Sequence, residues 1–85
     1  MKRILFVDDE VMVLTGLENS MRTHRGTWDM VFVDSAEAAL DVLAEGHVDV
    51  IVSDMRMPVM DGAQLLTRVQ SEHPDTVRVV LSAYS

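Results

Sequence analysis

Short runs of apolar, often β-branched residues alternate along this chain with longer segments of helical periodicity. This alternation is typical of β/α units around a mostly parallel sheet. The unbroken apolar run at residues 4–7 suits a central strand, because such strands are buried on both faces. The pattern therefore predicts an α/β fold with the order βαβαβαβ.

The strands are predicted at residues 4–7, 28–33, 48–52 and 77–81. The second of them is more polar in its first half, which suits an edge position. The first helix is predicted from Glu10 and fades by Gly26, with an inward-facing stripe of Val11, Leu14, Leu17 and Met21.

The second and third helices carry stronger boundary signals. Asp34 and Ser35 are both candidate caps of the second helix, and Glu37 follows Asp34 at capping-box spacing. Gly46 suits the position after the end of this helix. The third helix is predicted to open with the capping-box pair Asp61 and Gln64 and to end before Pro74.

Composition narrows the function classes further. The 85 residues include no cysteine and carry a formal net charge of −7, with seven basic and fourteen acidic side chains. This length predicts one domain, residues 1–85, and the missing cysteines exclude disulfides and thiolate metal sites. The acidic balance argues against nucleic-acid binding. The first apolar run is too short for a signal peptide or a membrane span, and the composition is compatible with the cytoplasm.

Acidic residues follow two of the predicted strands. Asp8 and Asp9 come directly after the first strand, and Asp54 follows the third. A strand order of 2-1-3-4 makes these strands neighbours, so the three acids converge at the carboxyl end of the sheet, where α/β proteins bind ligands. Carboxylates this close repel one another unless a cation lies between them, and Mg²⁺ prefers such oxygen ligands.

Each of these residues also has a purely structural interpretation. Asp9 could cap the first helix, and Asp54 could be an ordinary loop acid before a proline-containing turn. An exposed loop position is the simpler explanation for Arg56. The histidines at 24, 47 and 73 share no metal-binding spacing. The methionines at 55, 57 and 60 are interpreted as residues that fill the space between the loop and the core.

Taken together, the motifs resemble those of the receiver domain of bacterial two-component response regulators. The resemblance is carried by Asp8-Asp9, by Asp54 in the segment DMRMPVMDG at 54–62, and by LSAY at 81–84. It runs from Lys2 to Ser85 and implies a flavodoxin-like, doubly wound parallel sheet. In the family the strand order is 2-1-3-4-5, and this chain stops after the fourth strand.

The resemblance also implies a role for individual residues. Asp54 corresponds to the phosphoacceptor, Asp9 to a direct Mg²⁺ ligand, and Asp8 to the acid that orients a metal-bound water. The main-chain carbonyl of Arg56 corresponds to the remaining protein ligand of the metal.

Two further residues follow from the same resemblance. Ser82 corresponds to the hydroxyl that turns toward the phosphoryl oxygens, and Ala83 to the small residue that keeps the aspartyl group accessible. The implied function is a phosphoacceptor module of two-component phosphorelay signalling rather than a classical enzyme. Its implied partner is a sensor histidine kinase or a phosphotransfer protein in the cytoplasm.

This chain lacks part of the family pattern, and the missing part predicts self-association. The family lysine at the end of strand five has no counterpart, because Lys2, the only lysine, lies at the opposite end of the sheet. Without the last helix–strand–helix, the fourth strand is expected to be an exposed apolar edge that promotes self-association. An alternative function is therefore a non-phosphorylated interaction or dimerisation module. A phosphatase reading is weak, because the D-x-D pattern is absent.

Overall fold

The computed structural model describes residues 1–55, 57 and 60–81 of the chain. The elements in chain order are β1 (Lys2–Val7), α1 (Val11–Ser20), a 3-10 turn (Arg22–His24), β2 (Trp28–Val33), α2 (Ala36–Glu45), β3 (Val50–Asp54), α3 (Gly62–Glu72) and β4 (Val77–Leu81). The predicted βαβαβαβ order is confirmed. β1 begins two residues earlier than predicted, and β3 is shifted by two residues at both ends.

The four strands form one parallel sheet in the order β2-β1-β3-β4, as predicted. In the register of the sheet, Phe6 of β1 lies opposite Phe32 of β2, and Val7 of β1 lies opposite Ser53 of β3. β2 is an edge strand, in agreement with its polar first half. The order makes β1 and β3 neighbours, so their carboxyl ends meet.

Helices cover both faces of the sheet. Crossovers between parallel strands are right-handed, and β2 and β3 lie on opposite sides of β1, so α1 packs on one face and α2 and α3 pack on the other. The main core lies on the face of α2 and α3 and contains Leu5, Val7, Ala36, Ala39, Leu43, Val48, Ile51, Met57, Leu65 and Val69. On the face of α1, the rings of Phe6 and Phe32 stack with centroids 4.8 Å apart.

The first helix departs from its predicted pattern. α1 ends at Ser20 and gives way to the 3-10 turn, well before Gly26. Leu14 is buried as predicted, but Val11 is 63% exposed, so its assignment to the inward stripe is wrong. Val11 is the first residue of the helix, where the chain has just left the sheet at its carboxyl end.

The second helix begins one residue later than its capping-box signal indicated. The Ser35 Oγ accepts a hydrogen bond of 3.1 Å from the Ala38 N–H, so Ser35 is the N-cap. The predicted box between Asp34 and Glu37 is therefore wrong, because the serine hydroxyl caps the helix instead.

The third helix carries the capping box that its sequence predicted. The Asp61 Oδ1 accepts from the Gln64 N–H at 2.9 Å, and the Gln64 Oε1 accepts from the Asp61 N–H at 3.0 Å. Leu65 and Val69 fix the helix in the core with no exposed surface. This helix has 11 residues, and no helix within the described ranges is long and apolar enough to cross a bilayer.

One acid joins three strands at the amino end of the sheet. The Arg3 N–H donates to the Asp49 Oδ2 at 2.8 Å, the Asp49 N–H donates to the Arg3 carbonyl, and the Val77 N–H donates to the Asp49 carbonyl. The hydrogen bond from Arg3 is the main cause that lowers the pKa of Asp49, and His47 and Lys2 lower it further. Lys2 therefore lies at the amino end of the sheet, where the sequence predicted it.

The edge formed by β4 leaves apolar side chains in contact with solvent. Val77 and Val79 pair with residues of β3 on the face of α1 but remain 58% and 42% exposed. Val80 points to the other face and is 48% exposed. Among the strands of the described sheet, β4 pairs only with β3.

Candidate functional site

Strand pairing brings three carboxylates together at the carboxyl end of the sheet. Asp8 follows the last residue of β1, and Asp54 is the last residue of β3. One side-chain oxygen from each of Asp8, Asp9 and Asp54 lies within 4.8 Å of the others. The convergence predicted from the strand order is confirmed.

Asp8 is held rigidly within this cluster. It is 1% exposed, its N–H donates to the Val33 carbonyl at 3.2 Å, and its Oδ1 accepts from the Glu10 N–H at 2.9 Å. Its Oδ2 is also buried and has no hydrogen-bond partner among the described residues. A buried carboxylate oxygen in this situation needs a ligand or a proton to offset the loss of water.

The electrostatics of the cluster follow from this burial. Desolvation raises the pKa of the Asp8 carboxyl, and the charges of Asp54, Asp9 and Glu10 raise it further. The hydrogen bond from the Glu10 N–H acts in the opposite direction but does not cancel these effects. The cluster therefore favours uptake of a positive charge.

The donor set fits a magnesium ion. All three side chains offer hard oxygen ligands, and no histidine or cysteine joins the cluster among the described residues. The unpartnered Asp8 Oδ2 provides an acceptor at the buried end of the site, whereas Asp9 is exposed and leaves the cluster accessible to solvent.

The structural alternatives for two of these acids are not observed. The N-cap of α1 is Glu10, which makes no side-chain capping bond, so Asp9 does not cap this helix. Asp54 belongs to β3 and pairs with Leu81 of β4, so it is not a loop acid.

Two contacts around Asp54 were not anticipated from the sequence. The Ser53 Oγ–H donates to the Asp54 carbonyl at 2.9 Å, and the Gly62 N–H donates to the Met55 carbonyl at 3.1 Å. Gly62 approaches the main chain of Asp54 so closely that a Cβ atom would not fit. The only sequence signal was a glycine in the first turn of α3, where helix propensity favours other residues.

Three further predicted site residues are not among the described residues. The proposed carbonyl ligand of Arg56, the hydroxyl of Ser82 and the small residue Ala83 fall outside the described residues. Of the three histidines, which share no metal-binding spacing, His24 stacks its ring on Trp28 with centroids 4.8 Å apart.

The methionines near the site differ in how far they are buried. Met57 is buried in the core and Met60 packs against it, which confirms their predicted role. Met55 is 41% exposed, so the same prediction is wrong for Met55, which follows β3 directly at the carboxyl end of the sheet.

Sequence comparisons agree with this arrangement. A family model described as the response regulator receiver domain matches residues 4–85. The chain is 37% identical to the response regulator protein FleR of Pseudomonas aeruginosa over 82 residues, which are 96% of this chain and 17% of that protein. It is 41% identical to the transcriptional regulatory protein PrrA of Mycobacterium tuberculosis, covering 98% of this chain and 35% of that protein. The chain thus spans about a sixth of FleR and about a third of PrrA.

Comparison with solved structures gives the same fold. The response regulator protein TrrA of Thermotoga maritima, solved in complex with Mg²⁺ and BeF, superimposes with a TM-score of 0.87 at 28% identity. The match covers all of this chain and 72% of the TrrA chain. The signal receiver domain of an HD domain-containing protein from Pseudomonas fluorescens gives a TM-score of 0.87 at 32% identity, over 93% of this chain and 57% of that one.

Proposed function

The chain belongs to the response regulator receiver domain family, and from this premise we propose that it accepts a phosphoryl group on Asp54 in two-component signalling. The observation that carries the proposal is the convergence of Asp8, Asp9 and Asp54 within 4.8 Å at the carboxyl end of the sheet. Residues 1–85 act in this proposal as one receiver unit. Members of this family are phosphoacceptor modules rather than classical enzymes.

The proposed step is a displacement at phosphorus. A carboxylate oxygen of Asp54 attacks the phosphorus atom of a phosphohistidine, the P–N bond breaks, and the imidazole leaves and takes up a proton. The product is an acyl phosphate on Asp54. Such transfers depend on in-line positioning and on positive charge near the phosphoryl oxygens more than on general acids or bases.

Each acid has a separate part in this proposal. Asp9 and Asp54 would hold Mg²⁺ directly, and the buried Asp8 would orient a water on the ion, since its Oδ2 has no hydrogen-bond partner among the described residues. The main-chain carbonyl of Arg56, which corresponds to a family ligand, would complete the protein ligands. Bound Mg²⁺ supplies charge neutralisation for the transferring phosphoryl group.

Two residues are proposed to act after the transfer. Ser82 turns its hydroxyl toward the phosphoryl oxygens, and Ala83 leaves the approach to Asp54 open. Both roles rest on the family motif, in which these residues follow β4 directly. The phosphoryl group adds about −1.5 to −2 charge and strong hydrogen-bond acceptors, which is sufficient to attract a nearby hydroxyl.

The proposed phosphodonor is a sensor histidine kinase or a phosphotransfer protein in the cytoplasm. Support comes from TrrA, to which this chain is 28% identical, because TrrA has been solved in complex with the histidine kinase ThkA. The net charge of −7 argues against a direct nucleic-acid partner.

The proposal is tested by incubation with Mg²⁺ and acetyl phosphate, followed by measurement of the intact mass. We expect the mass to increase by one phosphoryl group, and we expect Asp54→Asn to abolish the increase. Asp34→Asn is the matched control, because Asp34 is an exposed acid that directly follows the neighbouring strand β2. An unmodified wild-type chain, or equal modification of Asp54→Asn, would contradict the proposal.

A second candidate function is supported by the exposed valines of β4. An interaction module that uses Val77, Val79 and Val80 as its contact surface would self-associate without phosphorylation. Self-association of the 85-residue chain through this edge is part of this candidate. Self-association that persists in a chain unable to take up phosphate would favour the interaction module, whereas the expected mass increase favours the phosphoacceptor.

A further inference from the structure

We infer that Gly62 and Ser53 are positioning residues that hold the main chain of Asp54 in place for the reaction. The inference rests on the proposed function and extends it to residues outside the acid cluster. Gly62 has no side chain and the Ser53 hydroxyl bonds to the main chain of Asp54, so both act through Asp54.

Gly62 contacts the main chain of Asp54 from the side of α3. An ideal Cβ atom at this position would lie 2.0 Å from the Asp54 carbonyl oxygen and 2.7 Å from the Met55 Cα, whereas ordinary contact begins at 3.4 Å. The atoms that it would meet belong to the main chain, which cannot rotate away as a side chain can. A side chain at residue 62 therefore requires α3 or the end of β3 to move by more than 1 Å.

Displacement of the helix is opposed by its cap and by its packing. Its start is fixed by the capping box between Asp61 and Gln64, and its next turns are anchored by Leu65 and Val69, which have no exposed surface. Moving α3 outward would open the core beneath these two residues. We therefore expect much of the displacement to fall on Asp54.

Ser53 holds the same carbonyl group through its hydroxyl. The Ser53 side chain is fully buried and donates a hydrogen bond of 2.9 Å to the Asp54 carbonyl. The carbonyl of the proposed phosphoacceptor is thus fixed by a hydrogen bond from the preceding residue and by the close approach of Gly62. This arrangement fixes the main-chain position from which the Asp54 side chain extends.

Both the rate of phosphoryl transfer and the binding of Mg²⁺ depend on the position of Asp54. Attack on phosphorus requires the reacting atoms to be about 3–3.5 Å apart and aligned, and a misplacement of about 1 Å costs about 100-fold in rate. Magnesium demands nearly octahedral geometry, so a displaced Asp54 oxygen also weakens binding of the metal. The two effects can be measured separately.

The test compares Gly62→Ala with Val69→Ala, which removes buried volume two turns further along the same helix. For Gly62→Ala we expect a phosphorylation rate at saturating acetyl phosphate that is about 100-fold lower, with a half-saturating donor concentration close to that of wild type. We also expect a dissociation constant for Mg²⁺ alone, measured by calorimetry, that is about tenfold higher.

The controls separate positioning from general stability. We expect Val69→Ala to lower the melting temperature but to keep the rate and the Mg²⁺ dissociation constant within about twofold of wild type, because its cavity lies away from Asp54. Gly16→Ala is a second control, since a Cβ at Gly16 meets no atom within 4 Å. Wild-type values in Gly62→Ala, or equal losses in Val69→Ala, would overturn the inference.

Ser53→Ala keeps the test decisive if Gly62→Ala does not fold. It removes one hydroxyl with little change in volume, and we expect the phosphorylation rate to fall about three- to tenfold, as for loss of one hydrogen bond. An unchanged rate in a folded Ser53→Ala would overturn the inference. A wild-type chain that binds Mg²⁺ but takes up no phosphoryl group would contradict the proposed function instead, and the Mg²⁺ dissociation constants of the variants would still decide the inference.

Discussion

At the scale of single residues, the sequence predicted which acids meet but not what holds them. Asp8, Asp9 and Asp54 could be assigned to one edge because strand ends and strand order determine their position. The close approach of Gly62 could not be assigned, because it depends on where α3 packs against β3, and the bond from Ser53 depends on the direction of its side chain. Local spacing carries no information about that distance.

The acid cluster predicts a response to metal that can be measured by thermal unfolding. A ligand that binds only the folded chain stabilises it by about 2.7 kcal/mol at a hundredfold excess over its dissociation constant. We expect Mg²⁺ to raise the melting temperature correspondingly, since it neutralises three acids within 4.8 Å of one another. We expect Asp9→Ala to lose most of this increase.

The control for this experiment is again Asp34→Asn, which leaves the cluster intact. Its melting temperature is expected to rise with Mg²⁺ as much as that of wild type. An Asp9→Ala variant with the wild-type response would remove Asp9 from the metal site.

At the scale of elements, boundaries were predicted best where a local hydrogen bond defines them. The capping box of Asp61 and Gln64 is formed as its spacing predicted, because both bonds lie within one turn. The choice between Asp34 and Ser35 could not be made from spacing, since both are good capping residues. The exposure of Val11 depends on where the chain leaves the sheet to begin α1. Helical periodicity alone does not give this position.

Asp49 links the starts of three strands and predicts a pH dependence of stability. Its ordinary pKa of 3.8 is lowered in the folded chain, mainly by the Arg3 N–H. The folded chain therefore binds this proton less readily than the unfolded chain, so the stabilisation is complete above the unfolded pKa and is lost as the pH falls below it. We expect the urea midpoint of Asp49→Asn to fall less than that of wild type between about pH 5 and pH 3.

The matched control is Asp41→Asn, which replaces an exposed acid of α2. Its urea midpoint is expected to fall with pH as steeply as that of wild type. If the urea midpoints of Asp49→Asn and wild type fell equally with pH, protonation of Asp49 would contribute nothing to the acid sensitivity of the chain.

At the scale of the whole molecule, the sheet order was predictable because few topologies satisfy short, right-handed crossovers. The exposed edge of β4 was also expected, and Val77, Val79 and Val80 are each more than 40% exposed. The relatives FleR and PrrA are about six and about three times as long as the segment that they share with this chain.

The edge predicts that the 85-residue chain, prepared by itself, associates as its concentration rises. Light scattering across a concentration series should give a mass that increases above that of one chain. We expect Val79→Glu to raise the dissociation constant of the complex about tenfold or more, because a charge on an exposed strand edge opposes pairing.

Val11→Glu is the matched control, since Val11 is 63% exposed but belongs to α1 rather than to β4. It is expected to associate as wild type does. A mass of one chain at every concentration in the wild type would refute association through this edge.

The role of Asp54 as the phosphoacceptor is tested most directly by the position of the modification itself. The chain is incubated with Mg²⁺ and acetyl phosphate, reduced with borohydride, which converts an aspartyl phosphate to homoserine, and mapped by peptide mass spectrometry. We predict homoserine at position 54 in the sample with Mg²⁺ and its absence when the metal is chelated. Modification at another acid, or none at position 54 with Mg²⁺ present, would contradict the account.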